Sequence, residues 1–334
     1  MARDVQITEV DSVKKRVFVK SGCIALCTVF LTGCAGLKGL DNPYVYSERT
    51  TLYQSSAVSG RAEPFAHDLC IVSEDPSSQD NAVTAEAAAV FDLTDKKVLF
   101  AKNPFERLYP ASITKTMTAL IALKYGNLTD EVTVTKDAVI TEAGATLCGI
   151  KPGDKLTMEQ LLYGLMLPSG NDAGAAIANH MAGGIDQFSQ MMNDEALKIG
   201  ATGTHFLNPH GLSDDNHYTT AYDLYLIFNE ALKYPEFRKI VGTTEYTTTY
   251  QDGAGKSVNA TWKGTNWYMT GERQMPEGLT VLGGKTGTTK AAGSCLIMGS
   301  SDSSKREYIT VVLKAPNHAG LYDNMTNILN KIVE

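Results

Sequence analysis

The sequence has few cysteines and lacks the spacings that metal sites and disulfide frameworks need. Six cysteines occur among 334 residues, and three of them fall in an apolar amino-terminal stretch. The other three, Cys70, Cys148 and Cys295, are far apart and form no Cys-x-x-Cys pair. The six histidines show no His-Glu-x-x-His spacing. We therefore expect no metal ion, no other cofactor and no disulfide framework.

The chain also lacks an excess of positive charge. Its formal net charge is -7, which is the wrong sign for the electrostatic footprint of a nucleic-acid-binding protein. Heptads, solenoid repeats and low-complexity runs are not found in the sequence. With 43% hydrophobic residues, a chain of this length can bury a substantial core in one large domain or two lobes.

No apolar run is long enough for a comfortable membrane span. Lys14, Lys15, Arg16 and Lys20 lie ahead of a short apolar run at Gly22 to Phe30, and Leu31-Thr-Gly-Cys34 comes next. A basic region, an apolar run and a small-residue site form the order of an export signal. A signal cleaved elsewhere and a short uncleaved anchor remain open alternatives. All of these place the bulk of the protein outside the cytoplasmic membrane.

The segment Leu31-Thr-Gly-Cys34 resembles the lipobox of bacterial lipoproteins. The resemblance implies that residues 1–33 are a signal peptide, cleaved before Cys34, and that the Cys34 thiol carries a lipid that anchors the chain to a bacterial membrane. Residues 34–81 are rich in Ser, Gly, Asp and Pro. We expect this stretch to be a tether between the membrane and the folded part.

The hydrophobic pattern predicts an α+β fold over residues 82–334. Two strand-like runs at 85–93 and 97–101 predict a hairpin. Residues 127–243 have mostly helical patterns, including the capping box Thr157-Met-Glu-Gln160. Further strand-like runs are 244–250, 279–282, 293–299 and 307–313, and a helix closes the chain. We expect an antiparallel sheet flanked by helices, with an all-helical lobe at about 127–243 and a functional cleft between the two lobes.

The first chemical motif is Ser112-Ile-Thr-Lys115, at the start of a predicted helix that ends at Gly126. One helical turn places Ser112 and Lys115 on the same face. A serine hydroxyl needs a base to become a nucleophile, and lysine serves only if burial or a second cation depresses its pKa. Alone, the Ser-x-x-Lys pattern is weak evidence for a catalytic site, because Ser12 and Lys15 match it too. A serine at a helix N-cap beside a solvated lysine would also explain it.

Two more motifs follow in the chain. Ser169-Gly-Asn171 forms a predicted turn between helices, and Lys285-Thr-Gly287 lies between two predicted strands. Each is weak alone, as the second match at Ser257-Val-Asn259 illustrates. The conjunction in this order resembles the penicillin-recognising serine enzymes, which include the penicillin-binding proteins and the serine β-lactamases.

Longer segments narrow the resemblance to the low-molecular-mass D-alanyl-D-alanine carboxypeptidases of peptidase family S11. These segments are Pro-Ala-Ser-Ile-Thr-Lys at 110–115, Leu-Pro-Ser-Gly-Asn-Asp at 167–172, Asn-Pro-His-Gly-Leu at 208–212, and Gly-Lys-Thr-Gly at 284–287 followed by Ala-Gly-Ser-Cys-Leu at 292–296. The resemblance covers about residue 82 to the end. We expect neither the additional β-rich domain nor the carboxy-terminal anchor of some members, with a lipid on Cys34 taking the anchor's place.

The resemblance implies a role for each catalytic residue. Ser112 attacks the carbonyl of the penultimate D-alanine of a peptidoglycan stem peptide, and Lys115 accepts its proton. Ser169 and Asn171 then relay protons and align the substrate. β-Lactams mimic the substrate, so they should form the same serine ester.

It also implies that Lys285, Thr286, Gly287 and Thr288 bind the substrate. Lys285 holds the terminal carboxylate with help from Thr286 and Thr288, which explains specificity for a free carboxy terminus. The backbone N–H groups of Ser112 and Thr288 would form the oxyanion hole.

Three alternatives remain. A class A β-lactamase shares the three motifs, and such enzymes resemble one another in a Ser-Asp-Asn turn and a Glu-x-x-x-Asn loop. In this chain the turn is Ser-Gly-Asn, and the stretch that corresponds to the loop, 204–212, has no acidic residue. We expect that stretch, with its two histidines, to be a packed structural loop. A transpeptidase would use an amine instead of water, and a wall-binding lipoprotein on the same fold would be catalytically silent.

Overall fold

The computed structural model describes residues 68–72 and 80–333. The predicted signal peptide, Cys34 and most of the predicted tether lie outside these residues. Within them, no helix is both long and apolar enough to cross a membrane.

The central element is a five-stranded antiparallel sheet. Its strands are β1 (Ala87–Asp92), β2 (Lys97–Lys102), β7 (Leu279–Thr289), β8 (Gly293–Asp302) and β9 (Glu307–Ala315). They lie in the order β2-β1-β9-β8-β7, with antiparallel pairing throughout. The predicted hairpin is confirmed as β1 and β2. The edge strand β7 is the one that carries the third motif.

The alternation of side chains along the strands divides the core into two layers. In β1, Ala87, Ala89 and Phe91 face one layer. Ala88 and Val90 face the other. The closing helix α8 (His318–Val333) covers the second layer with an apolar stripe comprising Leu321, Tyr322, Met325, Ile328 and Leu329.

The first layer is covered by helices whose limits follow local sequence signals. They are α1 (Lys115–Tyr125), α2 (Met158–Met166), α3 (Asn171–Ala182), α4 (Ile185–Lys198), α5 (Ala221–Ala231) and α6 (Pro235–Val241). Thr157 and Gln160 form the predicted capping box of α2. Gly183 ends α3 with a left-handed φ of 78°. Pro235 is the first residue of α6, so it begins a helix there.

The predicted all-helical lobe needs a correction, because it contains two strands. β3 (Glu131–Thr133) and β4 (Lys155–Thr157) pair with each other, and β5 (Glu245–Gln251) and β6 (Ser257–Lys263) extend them into a second antiparallel sheet in the order β3-β4-β5-β6. Three-residue strands are too short to show an alternating pattern. A short helix, α7 (Trp267–Thr270), follows β6.

Residues 68–72 pack against the folded domain, although they fall within the predicted tether at 34–81. Cys70 is fully buried. Its N–H donates to the Tyr225 hydroxyl at 2.8 Å, and its carbonyl accepts from the Tyr222 hydroxyl at 2.9 Å. The domain therefore begins upstream of residue 82. The sequence prediction missed this, because the apolar run Leu69-Cys-Ile-Val72 is only four residues long and lies in an otherwise polar stretch.

Candidate active site

Ser112 lies in a short 3₁₀ helix, Ala111–Thr114, that leads directly into α1. It is not the N-cap of α1, a position that Thr114 occupies. Ala111, just before it, has a left-handed φ of 48°, which is costly for a residue with a Cβ. The turn delivers Ser112 Oγ to within 2.9 Å of Lys115 Nζ. The predicted side-by-side placement of the two residues is confirmed.

Lys115 is the centre of the site and is 0% exposed. Its Nζ donates to Asn171 Oδ1 at 2.7 Å and to the His210 carbonyl at 2.7 Å, in addition to the contact with Ser112 Oγ. Burial, followed by the positive charge of Lys285, lowers the pKa of Lys115 well below its ordinary value, while Asp172 acts in the opposite direction. A neutral Lys115 has a lone pair for the Ser112 proton.

The Ser169–Asn171 turn contributes one observed contact to the site. Asn171 begins α3, and its Oδ1 accepts a hydrogen bond from Lys115. Ser169 is 7% exposed and has a left-handed φ of 68°. Its hydroxyl has no hydrogen-bond partner among the described residues. A buried, unpaired hydroxyl on a strained backbone is compatible with the relay role expected of Ser169.

Gly170, in the middle of this turn, has no room for a side chain. A Cβ placed there would lie 2.8 Å from Asp172 Oδ1, from the Cys148 Cβ and from the Gly164 carbonyl oxygen. Its φ is -62°, so the requirement for glycine comes from close packing and not from backbone conformation.

The third motif lies inside β7, whereas the sequence placed it between strands. Lys285 is 1% exposed, and its Nζ donates to the Thr286 carbonyl at 2.9 Å. Burial lowers its pKa to about 7. The Thr286 and Thr265 hydroxyls lie 2.5 Å apart, while Thr288 is exposed. Thr265 was missed, because a lone threonine beyond β6 carries no motif.

Gly287 lets β7 approach the nucleophile. A Cβ there would lie 2.8 Å from the backbone N of Ser112 and 3.0 Å from that of Ile113. The backbone of β7 and the backbone of the turn that contains Ser112 therefore lie too close together for a side chain to fit between them. This arrangement places the Ser112 amide beside the strand that is expected to bind substrate, as an oxyanion hole requires.

The loop 204–212 is packed, as expected, and supports the base through its backbone. Thr118 Oγ1 donates to the Pro209 carbonyl at 2.6 Å, next to the His210 carbonyl that binds Lys115. Gly211 has a left-handed φ of 87°, and a Cβ on it would lie 1.9 Å from the Ala111 oxygen. The His210 side chain is buried, and burial lowers its pKa to about 3, so the imidazole stays neutral.

His217 connects this loop to the catalytic turn. The Leu207 N–H donates to His217 Nδ1 at 3.0 Å. The ring proton therefore sits on Nε2, which donates to Thr114 Oγ1 at 2.8 Å. Burial lowers the pKa of His217 to about 4. Sequence reasoning did not identify this bridge.

Within residues 68–72 and 80–333, no group of three or more His, Cys, Asp or Glu side chains is placed to hold a metal ion. The chemistry that the geometry supports is acyl transfer to Ser112, with Lys115 as the proton acceptor.

Comparison with known proteins agrees with this arrangement. Residues 73–317 match the peptidase S11 family, described as D-alanyl-D-alanine carboxypeptidase. The D-alanyl-D-alanine carboxypeptidase DacF of Bacillus subtilis is 33% identical over 232 residues, which cover 68% of this chain and 57% of DacF. DacD of Escherichia coli is 33% identical over 262 residues, which cover 76% of this chain and 64% of DacD. In both comparisons the matched part is less than two thirds of the relative's length.

A solved structure of the Streptomyces K15 DD-transpeptidase superposes with a TM-score of 0.69 at 30% identity, covering 75% of this chain and 97% of that one. The family match spans the Ser112, Ser169 and Lys285 motifs that meet at Lys115 and β7. The chain belongs to the peptidase S11 family of D-alanyl-D-alanine carboxypeptidases.

Proposed function

We propose that this protein removes the terminal D-alanine from peptidoglycan stem peptides through an acyl-enzyme on Ser112. One observation carries the proposal: a fully buried Lys115 contacts both the Ser112 hydroxyl and the Asn171 amide. A surface lysine beside an N-cap serine, the ordinary explanation of this spacing, would be protonated and solvated. The names of the S11 relatives supply the substrate class.

Acylation proceeds by proton transfer and bond exchange. Ser112 Oγ bonds to the carbonyl carbon of the penultimate D-alanine while its proton passes to neutral Lys115. The carbonyl becomes an oxyanion beside the Ser112 amide. When it collapses, the C–N bond breaks and the departing amine takes the proton from Lys115, directly or through Ser169. The products are free D-alanine and a Ser112 ester.

Deacylation reverses the proton path. Lys115, neutral again, removes a proton from water as the water oxygen bonds to the ester carbon. The C–Oγ bond then breaks, and the proton returns to Ser112. During acylation, we expect Lys285 to bind the substrate's terminal carboxylate with help from Thr286 and Thr288 on the same strand.

The first test is D-alanine release from a peptide ending in Lys-D-Ala-D-Ala. We expect release by the full-length protein and none by its Ser112→Ala variant. Ser257→Ala, in the chance Ser-x-Asn match on exposed β6, is the matched control and should keep wild-type activity. Release that persists in Ser112→Ala would contradict the assignment of the nucleophile.

A transpeptidase is the second candidate, because the structural relative is named a DD-transpeptidase. The same assay with glycine as an added acceptor separates the two functions. A transpeptidase forms a new peptide bond to the glycine in preference to releasing the hydrolysed peptide.

Fluorescent penicillin tests the remaining alternatives. We expect a lasting ester on Ser112. Rapid turnover of the drug would favour a class A β-lactamase, and the absence of labelling would favour a silent wall-binding lipoprotein.

We propose further that the protein is a lipoprotein, anchored to a bacterial membrane from the extracytoplasmic side. The support is the order of basic residues, apolar run and Leu31-Thr-Gly-Cys34. Mass spectrometry of the membrane-extracted protein should find a chain that begins at diacylated Cys34. A Cys34→Ala variant should lose the lipid, and a wild-type chain starting elsewhere would contradict the proposal.

A further inference from the structure

Asp172, the second residue of α3, has a buried carboxylate that accepts hydrogen bonds from several backbone N–H groups. It is 3% exposed. It accepts hydrogen bonds from the N–H groups of Cys148 at 2.9 Å, Gly149 at 2.9 Å and Ile150 at 3.2 Å. A fourth comes from the Ala173 N–H at 3.0 Å. Bonds to an ionised acceptor are stronger than neutral ones, so this carboxylate holds the segment 148–150 firmly to the start of α3.

The held segment forms the wall behind the Ser169–Asn171 turn. The Asn171 N–H donates to the Thr146 carbonyl at 2.8 Å. The Trp262 indole N–H donates to the Cys148 carbonyl at 2.9 Å and ties the same segment to β6. Asp172 and Cys148 also fill the space beside Gly170. Without the carboxylate, the turn that supplies Asn171 to Lys115 would lose its support.

Asp172 is also the negative charge that Lys115 faces. It favours the protonated form of Lys115, against burial and against Lys285 on β7. Three further titratable groups near the two residues are uncharged. The pKa of the Cys148 thiol is raised by burial and by Asp172, that of Tyr250 on β5 is raised to about 12 mainly by burial, and that of His210 is lowered to about 3.

We propose that Asp172 is a positioning residue for the Ser112 acyl transfer: it holds the Ser169–Asn171 turn against Lys115 and supplies the charge that balances Lys285. The inference rests on the proposed function, in which Lys115 is the base. Asp172 acts through Lys115 and Asn171.

The test is the rate of Ser112 acylation by fluorescent penicillin, measured across pH with the full-length protein. Asp172→Asn keeps the shape but loses the charge and places an NH₂ group against backbone donors. We expect acylation to fall by roughly tenfold or more, since small misplacements of catalytic groups are costly. We also expect the acid limb of the profile to move to lower pH, because Lys115 without its counter-charge loses a proton more easily.

Asp154→Asn is the matched control. Asp154 is also a buried aspartate that accepts a backbone N–H, from Lys151 at 2.8 Å, but it is absent from the groups that shift the Lys115 pKa. It should leave the acid limb in place. If Asp172→Asn matches Asp154→Asn in rate and acid limb, or loses rate without moving the limb, the proposal is overturned.

Asp172→Glu covers the case in which Asp172→Asn fails to fold. It keeps the charge and moves the oxygens, so its rate should fall while its acid limb stays at the wild-type position. An unchanged rate in this variant would refute the positioning role. Failure of the wild-type protein to react with penicillin would count against the proposed function instead.

Discussion

The backbone carbonyl of His210 accepts a 2.7 Å hydrogen bond from Lys115 Nζ, across 95 positions of sequence. Together with Asn171 and Ser112, it leaves the lysine no solvent contact. Lys115 is thus held from three separate segments of the chain. Its low proton affinity is therefore a property of the assembled fold, because an isolated lysine with these neighbours in water would remain charged.

Replacing Lys115 by Met removes the base while keeping most of the buried volume. We expect acylation by fluorescent penicillin to fall by about 10²–10⁴-fold, the range for losing a general base. Lys256→Met, on the exposed turn before β6, is the control and should react as wild type. A Lys115→Met variant that reacts within a few fold of wild type would show that another group takes the Ser112 proton.

The pH dependence of D-alanine release should report the protonation state of Lys285. The pKa of Lys285 is about 7, so in the free enzyme its charge is present below that pH and is lost above it. We expect kcat/KM for D-alanine release to decline above about pH 7, since the cation that meets the substrate carboxylate disappears. Lys285→Arg keeps a charge at all these pH values, so the decline should vanish even if the maximum rate is lower.

The same lysine should reduce the stability of the fold. Its pKa falls from an unfolded value of about 10.4 to about 7, so between these values the unfolded chain binds more protons and stability rises with pH. This loss of unfolding free energy is fully present below about pH 7. From the size of the pKa shift, it is on the order of a few kcal/mol. Lys285→Met should therefore raise the melting temperature by several degrees at pH 6.

That gain should shrink towards pH 10, where wild-type Lys285 is neutral in the fold and the unfolded chain has lost part of its charge. Thermal melts at the two pH values make the comparison. A Lys285→Met variant that melts at or below the wild-type temperature at pH 6 would show that the Thr286 hydrogen bond outweighs the desolvation of the lysine.

Gly211 and Gly255 separate backbone strain from steric exclusion. Both have left-handed φ values, 87° and 78°, but a Cβ on Gly211 would lie 1.9 Å from the Ala111 oxygen, whereas nothing lies within 4 Å of one on Gly255. Gly255→Ala should cost about 1 kcal/mol of unfolding free energy.

Gly211→Ala should cost considerably more and should also slow acylation, because the loop must move away from the turn that contains Ser112. Denaturant unfolding and penicillin labelling measure the two effects. Equal losses of stability in the two variants would mean that the loop can shift without strain.

The sequence predicted those parts of the fold and site that have a local signature. The Ser112–Lys115 pair needs one helical turn, and the Thr157 capping box and the β1–β2 hairpin are set by neighbouring residues, so all three were predicted. The His210 carbonyl was not, because a backbone acceptor can come from any residue type. Thr265 likewise becomes part of the site only through its tertiary contact with Thr286.

Strand assignment failed for β3, β4 and β6, and β6 was missed although it pairs with the neighbouring strand β5. β3 and β4 have three residues each. They pair with each other, and β4 also pairs with β5, so tertiary pairing defines them as part of a sheet. The Lys285 segment is glycine-rich, which favours a loop in a sequence pattern. In the structure, position 287 requires glycine because β7 passes so close to the backbone of the Ser112 turn that a Cβ would not fit.

The packing around Gly170 limits how this site could evolve. Class A β-lactamases share a Ser-Asp-Asn turn, which would require an aspartate at position 170. Even a single Cβ at that position would clash with Asp172, Cys148 and the Gly164 carbonyl. That substitution would have to follow a displacement of the 146–150 segment. Under drug selection, a lineage starting from this protein would therefore need a shift of the neighbouring 146–150 segment to acquire such a turn.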